Sequence, residues 1–239
     1  KRAKQAYVIE KLADWTEPKV GRPIKPALVS PHALPKRGIG TEQGKYSLIH
    51  AIAHIEFNAI NLAFDAIYRF QDMPEEYYWD WLQVAGEETN HFILLRRHLN
   101  NGNYEYGDFE AHNGLWDMAK QTANDALDRM AIIPRVLEAR GLDVTPAMIK
   151  KFAHIGETGI VSTLETIYEE EVGHVFIGNR WFRYLCEQRG LIAEQTFLEL
   201  VRHYKLDDFR GGFNKVGRKE AGFSEEELEY MENKFVNAY

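Results

Sequence analysis

The chain has 239 residues, 45% of them hydrophobic and 13% aromatic, which excludes a disordered segment and supplies the apolar surface of a sizeable core. A net charge of −7 gives no overall attraction to nucleic acid or to an anionic membrane. The single cysteine, Cys186, excludes an internal disulfide and a cysteine-built metal site and fits a reducing, cytoplasmic setting, and no apolar run approaches the ~20 residues that span a bilayer.

Five of the eight prolines fall between Pro18 and Pro35 and, with Gly38 and Gly40, mark an irregular N-terminal arm over residues 1–43. A short helix near Ala6–Asp14 is expected within it. From Thr41 onward helical periodicity takes over. Helix 1 is predicted from about Gly44 to Phe70, with Ile49, Ile52, Glu56, Ala59, Ala63, Ala66 and Phe70 on one face. Pro74 opens helix 2 at its first turn, and Trp81, Ala85, Glu88, Phe92, Leu95 and Leu99 form its seam. The stretch Asn100–Gly114 reads as a long loop. Helix 3 is predicted to begin near Leu115, reach Glu138 and break at Gly141. Thr145-Pro146 then reads as a new N-cap and first helical residue, so that 146–156 forms a resumed lower half. Helix 4 is predicted over about 158–189, with the seam Leu164, Ile167, Glu171, His174, Gly178, Trp181 and Leu185. A further helix over 192–204 and a Gly-rich loop over 211–222 follow. Ser224 and Glu227 form a capping box at the start of a last helix. The expected architecture is all-α: a four-helix bundle over 44–189 with a long crossover between helices 2 and 3, preceded by the arm and followed by a helical appendage over 190–239.

The three clear seams, on helices 1, 2 and 4, each carry a glutamate where an apolar residue would normally sit. An ionised carboxylate inside a bundle costs several kcal/mol unless it is compensated, and a metal ion is one effective compensation. In helices 2 and 4 a histidine follows three residues later, as Glu88-Thr-Asn-His91 and Glu171-Val-Gly-His174. Residues i and i+3 share a helical face, so both side chains reach one ion. With 25 Glu and 9 His in the chain, chance gives about one Glu-x-x-His, so the weight lies in two matches on two seams. Each is also preceded by a second glutamate, Glu87 and Glu170. Glu56 stands 32 residues before Glu88 and Glu138 stands 33 before Glu171, the near-repeat that two helical hairpins with carboxylates at matching heights would produce. Four carboxylates balance two divalent ions, and carboxylate with imidazole suits iron, manganese or zinc. The predicted ligands are Glu56, Glu88, His91, Glu138, Glu171 and His174. Glu87 and Glu170 are placed to accept a hydrogen bond from the outer nitrogen of a histidine across the bundle. Tyr168, one turn before Glu171, is the candidate catalytic side chain beside the oxygen site.

Other groups compete for attention. His50 and His54 lie off the Glu56 seam and read as core or surface histidines. His154 and Glu157 form a reversed pair beside a glycine turn and receive no role. Glu165 is an alternative to Glu138. Asp125 and Asp128 read as solvated. Arg202, Lys205, Arg210, Lys215, Arg218 and Lys219, interleaved with Phe209, Phe213 and Phe223, read as a solvated basic face with some capacity for a phosphate-bearing ligand.

In the order Glu, Glu-x-x-His, Glu, Glu-x-x-His, the chain resembles the ferritin-like superfamily of di-iron carboxylate proteins. More narrowly it is similar to a bacterial ferritin-like family defined as a domain of unknown function, through Pro134-Arg-Val-Leu-Glu138-Ala-Arg-Gly-Leu-Asp143-Val-Thr-Pro146, Glu171-Val-Gly-His174-Val and Gly178-Asn-Arg-Trp-Phe182. A more distant similarity is to the tRNA hydroxylases of that superfamily. The resemblance implies two iron ions, with manganese as the alternative, and O2 as co-substrate. The expected function is therefore an O2-dependent di-iron oxidoreductase acting on a small-molecule or RNA-borne substrate, served by an electron donor. No membrane partner is expected, and a homodimer is an allowed assembly. Iron oxidation and storage, or a metal-stabilised structural domain without catalysis, are the alternatives.

Overall fold

The computed structural model describes residues 21–35, 38–206 and 212–236. The helix expected near Ala6–Asp14 lies outside them, as does Arg210. The fold is an all-α bundle. Its long rods are α1 (Glu42–Arg69), α2 (Glu75–Asn101), a composite third rod and α6 (Thr158–Gln188). The third rod joins α4 (Ala126–Ile132), a π-helical stretch Ile133–Glu138 and α5 (Ala139–His154); the short α3 (Gly114–Gln121) precedes it. After α6 come α7 (Ala193–His203), α8 (Lys215–Glu220) and α9 (Glu225–Val236). No helix among the described residues is long and apolar enough to cross a membrane.

Local chemistry fixes most of the helix ends. The Thr41 hydroxyl accepts from the Gly44 N–H at 3.1 Å and starts α1. Pro74 stands at the N-cap of α2, one residue before the expected position. The capping box before α9 forms as predicted: the Ser224 N–H donates to Glu227 Oε2 at 2.9 Å, and the Glu227 N–H donates to Ser224 Oγ at 3.2 Å.

Short loops make α1 and α2 one antiparallel hairpin and the third rod with α6 another. Across the middle, side chains pair Asp80 with Trp181, Glu87 with His174, His91 with Glu170 and His98 with Thr163. One number rises as the other falls, so α2 and α6 run antiparallel in steady register. The third rod begins near the far end of α1, where the Arg129 guanidinium donates to Asp65 Oδ2 at 2.5 Å. The end of α2 lies instead against Tyr46, near the start of α1. The connection over 102–125 must therefore travel back along α1 by about 28 Å at the helical rise. This is the long crossover, and α3 lies inside it. The arm follows the same route: Leu28 bridges to Ala111, and Arg22 donates to Asn58 Oδ1 at 2.7 Å.

The third rod departs most from the sequence reading. Helix 3 is interrupted at 122–125, where the Asp125 carboxylate accepts from the Leu127 N–H at 2.8 Å and caps α4. It does not break at Gly141, and Thr145-Pro146 does not start a helix: α5 runs through both glycine and proline. The Leu142 carbonyl, deprived of its donor by Pro146, accepts from Asn214 Nδ2 at 3.0 Å. Glycine 178 on α6 meets this rod so closely that a Cβ would lie 2.4 Å from Pro134 Cβ.

Among the described residues the apolar core divides into two large clusters and a small third one, Leu62, Trp116, Ala119 and Ile133, beneath α3. Of the large two, one contains Ala63, Ala66, Tyr77, Trp81, Ala85, Ala139, Val175, Trp181 and the side chains that α7 and α9 add. The other contains Ile49, Ile52, Ala53, Leu95, Leu99, Phe152, Leu164 and Ile167. On α1, α2 and α6 the residues separating the two clusters are the seam glutamates and histidines.

Candidate metal centre

Glu56 on α1, Glu88 and His91 on α2 and Glu171 on α6 present ligand atoms that all lie within 4.8 Å of one another. His91 Nδ1 lies 3.5 Å from Glu56 Oε2 and 3.4 Å from Glu88 Oε2. His174 Nδ1 lies 3.1 Å from Glu88 Oε1 and 3.8 Å from Glu171 Oε1. The two imidazoles face each other with ring centres 5.7 Å apart. Glu88 is thus the carboxylate between both histidines. Glu138 enters from the π-helical stretch, outside the tightest group of four.

Whether a metal pair suits these residues is tested by their unused atoms. Glu56 Oε2, Glu88 Oε2, His91 Nδ1, Glu138 Oε2, Glu171 Oε2 and His174 Nδ1 are all buried with no hydrogen-bond partner. Buried polar atoms are normally satisfied, and here all six residues singled out from sequence leave one unsatisfied. Carboxylate oxygens and imidazole nitrogens without a thiolate form a donor set for iron, manganese or zinc. The residues fit a metal pair.

Proton affinities respond to the same crowding. Burial, and then the Glu88 charge, push the Glu56 carboxyl up to about 8. Burial, then Glu171 and Glu88, hold Glu138 well above the usual carboxylate range. Burial opposes a charged His91, but Glu56 and Glu88 outweigh it and raise the imidazole to about 10. His174 is raised likewise, with Glu171 and Glu87 overcoming burial. Without a cation the layer therefore retains protons in its place.

The outer nitrogens are fixed from across the α2–α6 seam. His91 Nε2 donates to Glu170 Oε2 at 2.6 Å and His174 Nε2 donates to Glu87 Oε2 at 2.8 Å. Each histidine is oriented by the glutamate that precedes the other helix's Glu-x-x-His. With one proton held on Nε2, Nδ1 faces the carboxylate layer, where it carries a proton while no metal is bound and would offer its lone pair to one. The Glu87 and Glu170 side chains are 29% and 34% exposed, so these carboxylates also reach water. Replacing either by Gln is expected to weaken metal binding about 10–100-fold, as removal of such outer contacts does. Competition with a chromophoric chelator measures this, and unchanged affinity would sink the orienting role.

Tyr168 is held elsewhere. Its hydroxyl accepts from Asn214 Nδ2 at 2.8 Å, which ties it to the C-terminal segment rather than to a ligand carboxylate. Glu165 is exposed and does not replace Glu138. His50 and His54 are buried core histidines: His50 Nε2 accepts from the Gly107 N–H, and His54 pairs with the Tyr106 hydroxyl at 2.8 Å. Asp125 and Asp128 are not simply solvated. Arg189 grips Asp125 with two 2.7 Å bonds, and the Tyr204 hydroxyl donates to Asp128 at 2.5 Å. Nor is Arg218 part of a basic surface; it is buried against Asp143 at 2.7 Å.

Clefts open on the surface of the described residues. One of about 520 Å³ lies on the outer side of α6 between Phe176, Trp181, Tyr184 and Gly222. One of about 280 Å³ lies under the arm between Pro26, His54, Phe57 and Tyr106. Neither is lined by a candidate ligand.

The chain matches, over residues 1–229, the family described as "Protein of unknown function (DUF455)", and it belongs to that family. A Haemophilus influenzae protein described as "Uncharacterized protein" is 48% identical to it, with 87% of this chain and 75% of the relative covered. No solved structure matches.

Proposed function

We propose that this family member is a di-iron carboxylate protein of the ferritin-like kind, an oxidoreductase that uses O2 on an organic substrate. One observation carries the reading: Glu56, Glu88, His91 and Glu171 bring ligand atoms within 4.8 Å of one another, and these residues with Glu138 and His174 leave six buried ligand atoms without partners. Glu56, Glu88 and His91 would hold one ion; Glu138, Glu171 and His174 would hold the other, with Glu88 between them. A reduced iron pair supplies, when bound, the electrons and open positions by which O2 is activated for attack on a C–H bond. The protein's own part is to bind, orient and manage protons. Glu170 and Glu87 keep the Nε2 protons in place, and loading releases the protons that Glu56, Glu138 and the two Nδ1 atoms retain without a metal. Manganese is the alternative metal. An electron donor and a small-molecule or RNA-borne substrate belong to the same proposal.

The test is anaerobic loading with ferrous iron, followed by counting what stays bound and measuring O2 uptake. Saturation near two irons per chain is expected, with sustained O2 consumption only when a reductant is present. Retention of many irons per chain in a closed multimer would mean a store instead, and no retained iron would overturn the metal reading.

A further inference from the structure

Glu138 is the one candidate ligand not carried by regular α-helix. Its backbone is the π-helical stretch Ile133–Glu138, and wide turns of this kind are uncommon. Eight residues on, Pro146 removes a helical donor from the same rod. Left alone, this rod should bend or fray around Glu138. Both flanks are instead tied to the far end of the chain. Before Glu138, the fully buried Arg135 donates to Asn179 Oδ1 at 2.7 Å and to Glu227 of α9. Its guanidinium sits among the Phe182, Phe197 and Phe223 rings, at 4.2, 3.8 and 5.0 Å from their centres. After Glu138, Asp143 receives both arms of Arg218, at 3.0 and 2.7 Å, and the Asn214 N–H at 3.0 Å. Asn214 also serves the Leu142 carbonyl that Pro146 leaves without a donor. The approach is close: a Cβ on Gly217 would lie 2.5 Å from the Tyr168 hydroxyl.

The two proposed metal positions are therefore built differently. The first takes its ligands from α1 and α2, which pack mainly along each other. The second takes them from the third rod and α6, and α8 packs on both α5 and α6. We propose that the C-terminal segment 212–236 is a clamp that positions Glu138, so that filling the second metal position depends on it and filling the first does not. The inference rests on the two-metal reading above. Asn214, Arg218, Arg135 and Glu227 are positioning residues in it: they touch the backbone and charges around Glu138, not the ions.

The experiment is a cobalt(II) titration of the full-length protein, followed by calorimetry and by absorption. Wild type is expected to take two equivalents. In Arg218→Met and in Asn214→Ala the second equivalent should weaken about tenfold while the first stays within about twofold. Arg218→Lys, which keeps a charge against Asp143, should recover part of the loss. Leu99→Ala, a cavity in the other core cluster, controls for lost stability: it should lower the melting temperature without separating the two equivalents. If Arg218→Met does not fold, Asn214→Ala carries the test. Equal weakening of both equivalents, or no change in either, overturns the clamp. A wild type that binds fewer than two equivalents overturns the two-metal reading, and the clamp with it.

Discussion

Stripping the metal with a chelator is expected to lower the melting temperature by roughly 5–10 °C near neutral pH. A ligand present at about a hundred times its dissociation constant adds roughly 2.7 kcal/mol, and a chain of this size shifts by about 2–4 °C per kcal/mol. The metal-free layer must also hold Glu56, Glu88, Glu138 and Glu171 together without a cation. It does so by retaining protons on Glu56, Glu138, His91 and His174, and this fixes the sign of the pH dependence. Glu56, at about 8, and His91, at about 10, both lie above their unfolded values. Between the unfolded and folded values the folded chain binds more protons than the unfolded one, so stability falls as pH rises. The stabilisation from these groups is complete below the unfolded values and is lost as pH climbs through about 8 and then about 10. Glu87, held low by the His174 hydrogen bond, acts in the opposite sense and only in acid. Metal-free protein should accordingly melt lower at pH 9 than at pH 6.5. Bound metal replaces the retained protons, so the gap between loaded and stripped protein should widen over the same interval. Scanning calorimetry at several pH values, with occupancy verified by elemental analysis, checks both statements. Coincident melting curves at every pH would separate the layer from folding altogether.

The candidate ligands were legible because their signals are local. Glu88 and His91, or Glu171 and His174, are one helical turn apart, and the seams of α1, α2 and α6 keep the 3.6 period that burial imposes. The crossed pairing of His91 with Glu170 and His174 with Glu87 was readable too, since a residue beside a ligand points towards the adjacent helix. The third rod was not legible. Gly141 and Pro146 carry real local penalties, and a reader of the chain alone ends a helix there. What overrides them arrives from 72 to 92 residues away: Asn214 supplies the donor that Pro146 lacks, and Arg218 and Glu227 neutralise Asp143 and Arg135. No periodicity announces those pairings. Glu227 read only as half of a capping box, and it is that as well. The split core has the same origin as the site. Glu56, Glu88 and Glu171 interrupt seams that are otherwise apolar, so the two large clusters lie on either side of a polar layer.

Glu227→Ala is expected to be the most destabilising single change in the C-terminal segment. It leaves the Arg135 guanidinium buried among three phenylalanine rings, with Asn179 as its remaining strong acceptor. Breaking one side of a buried ion pair costs about 3–5 kcal/mol, and the bond that the Ser224 N–H gives to the Glu227 carboxylate is lost as well, while Ser224 Oγ still caps α9. At about 2–4 °C per kcal/mol the melting temperature should fall by roughly 10 °C or more. Glu227→Gln keeps only part of this. Its single amide oxygen can accept from Arg135 or from the Ser224 N–H, while its NH2 faces the other donor, so the charge and one hydrogen bond are lost and the fall should still be smaller than for alanine. Thermal melts of the apoproteins decide this, and a Glu227→Ala melt within a degree or two of wild type would sink it. The informative companion is Arg135→Leu with Glu227→Leu. Replacing both partners by apolar side chains of similar reach is often neutral or stabilising, so the double variant should recover most of the lost stability. If it does so while its second metal equivalent stays weak, the buried pair is retained for where it holds Glu138 rather than for how firmly it holds the fold. Recovery of both properties would instead assign the pair to stability alone.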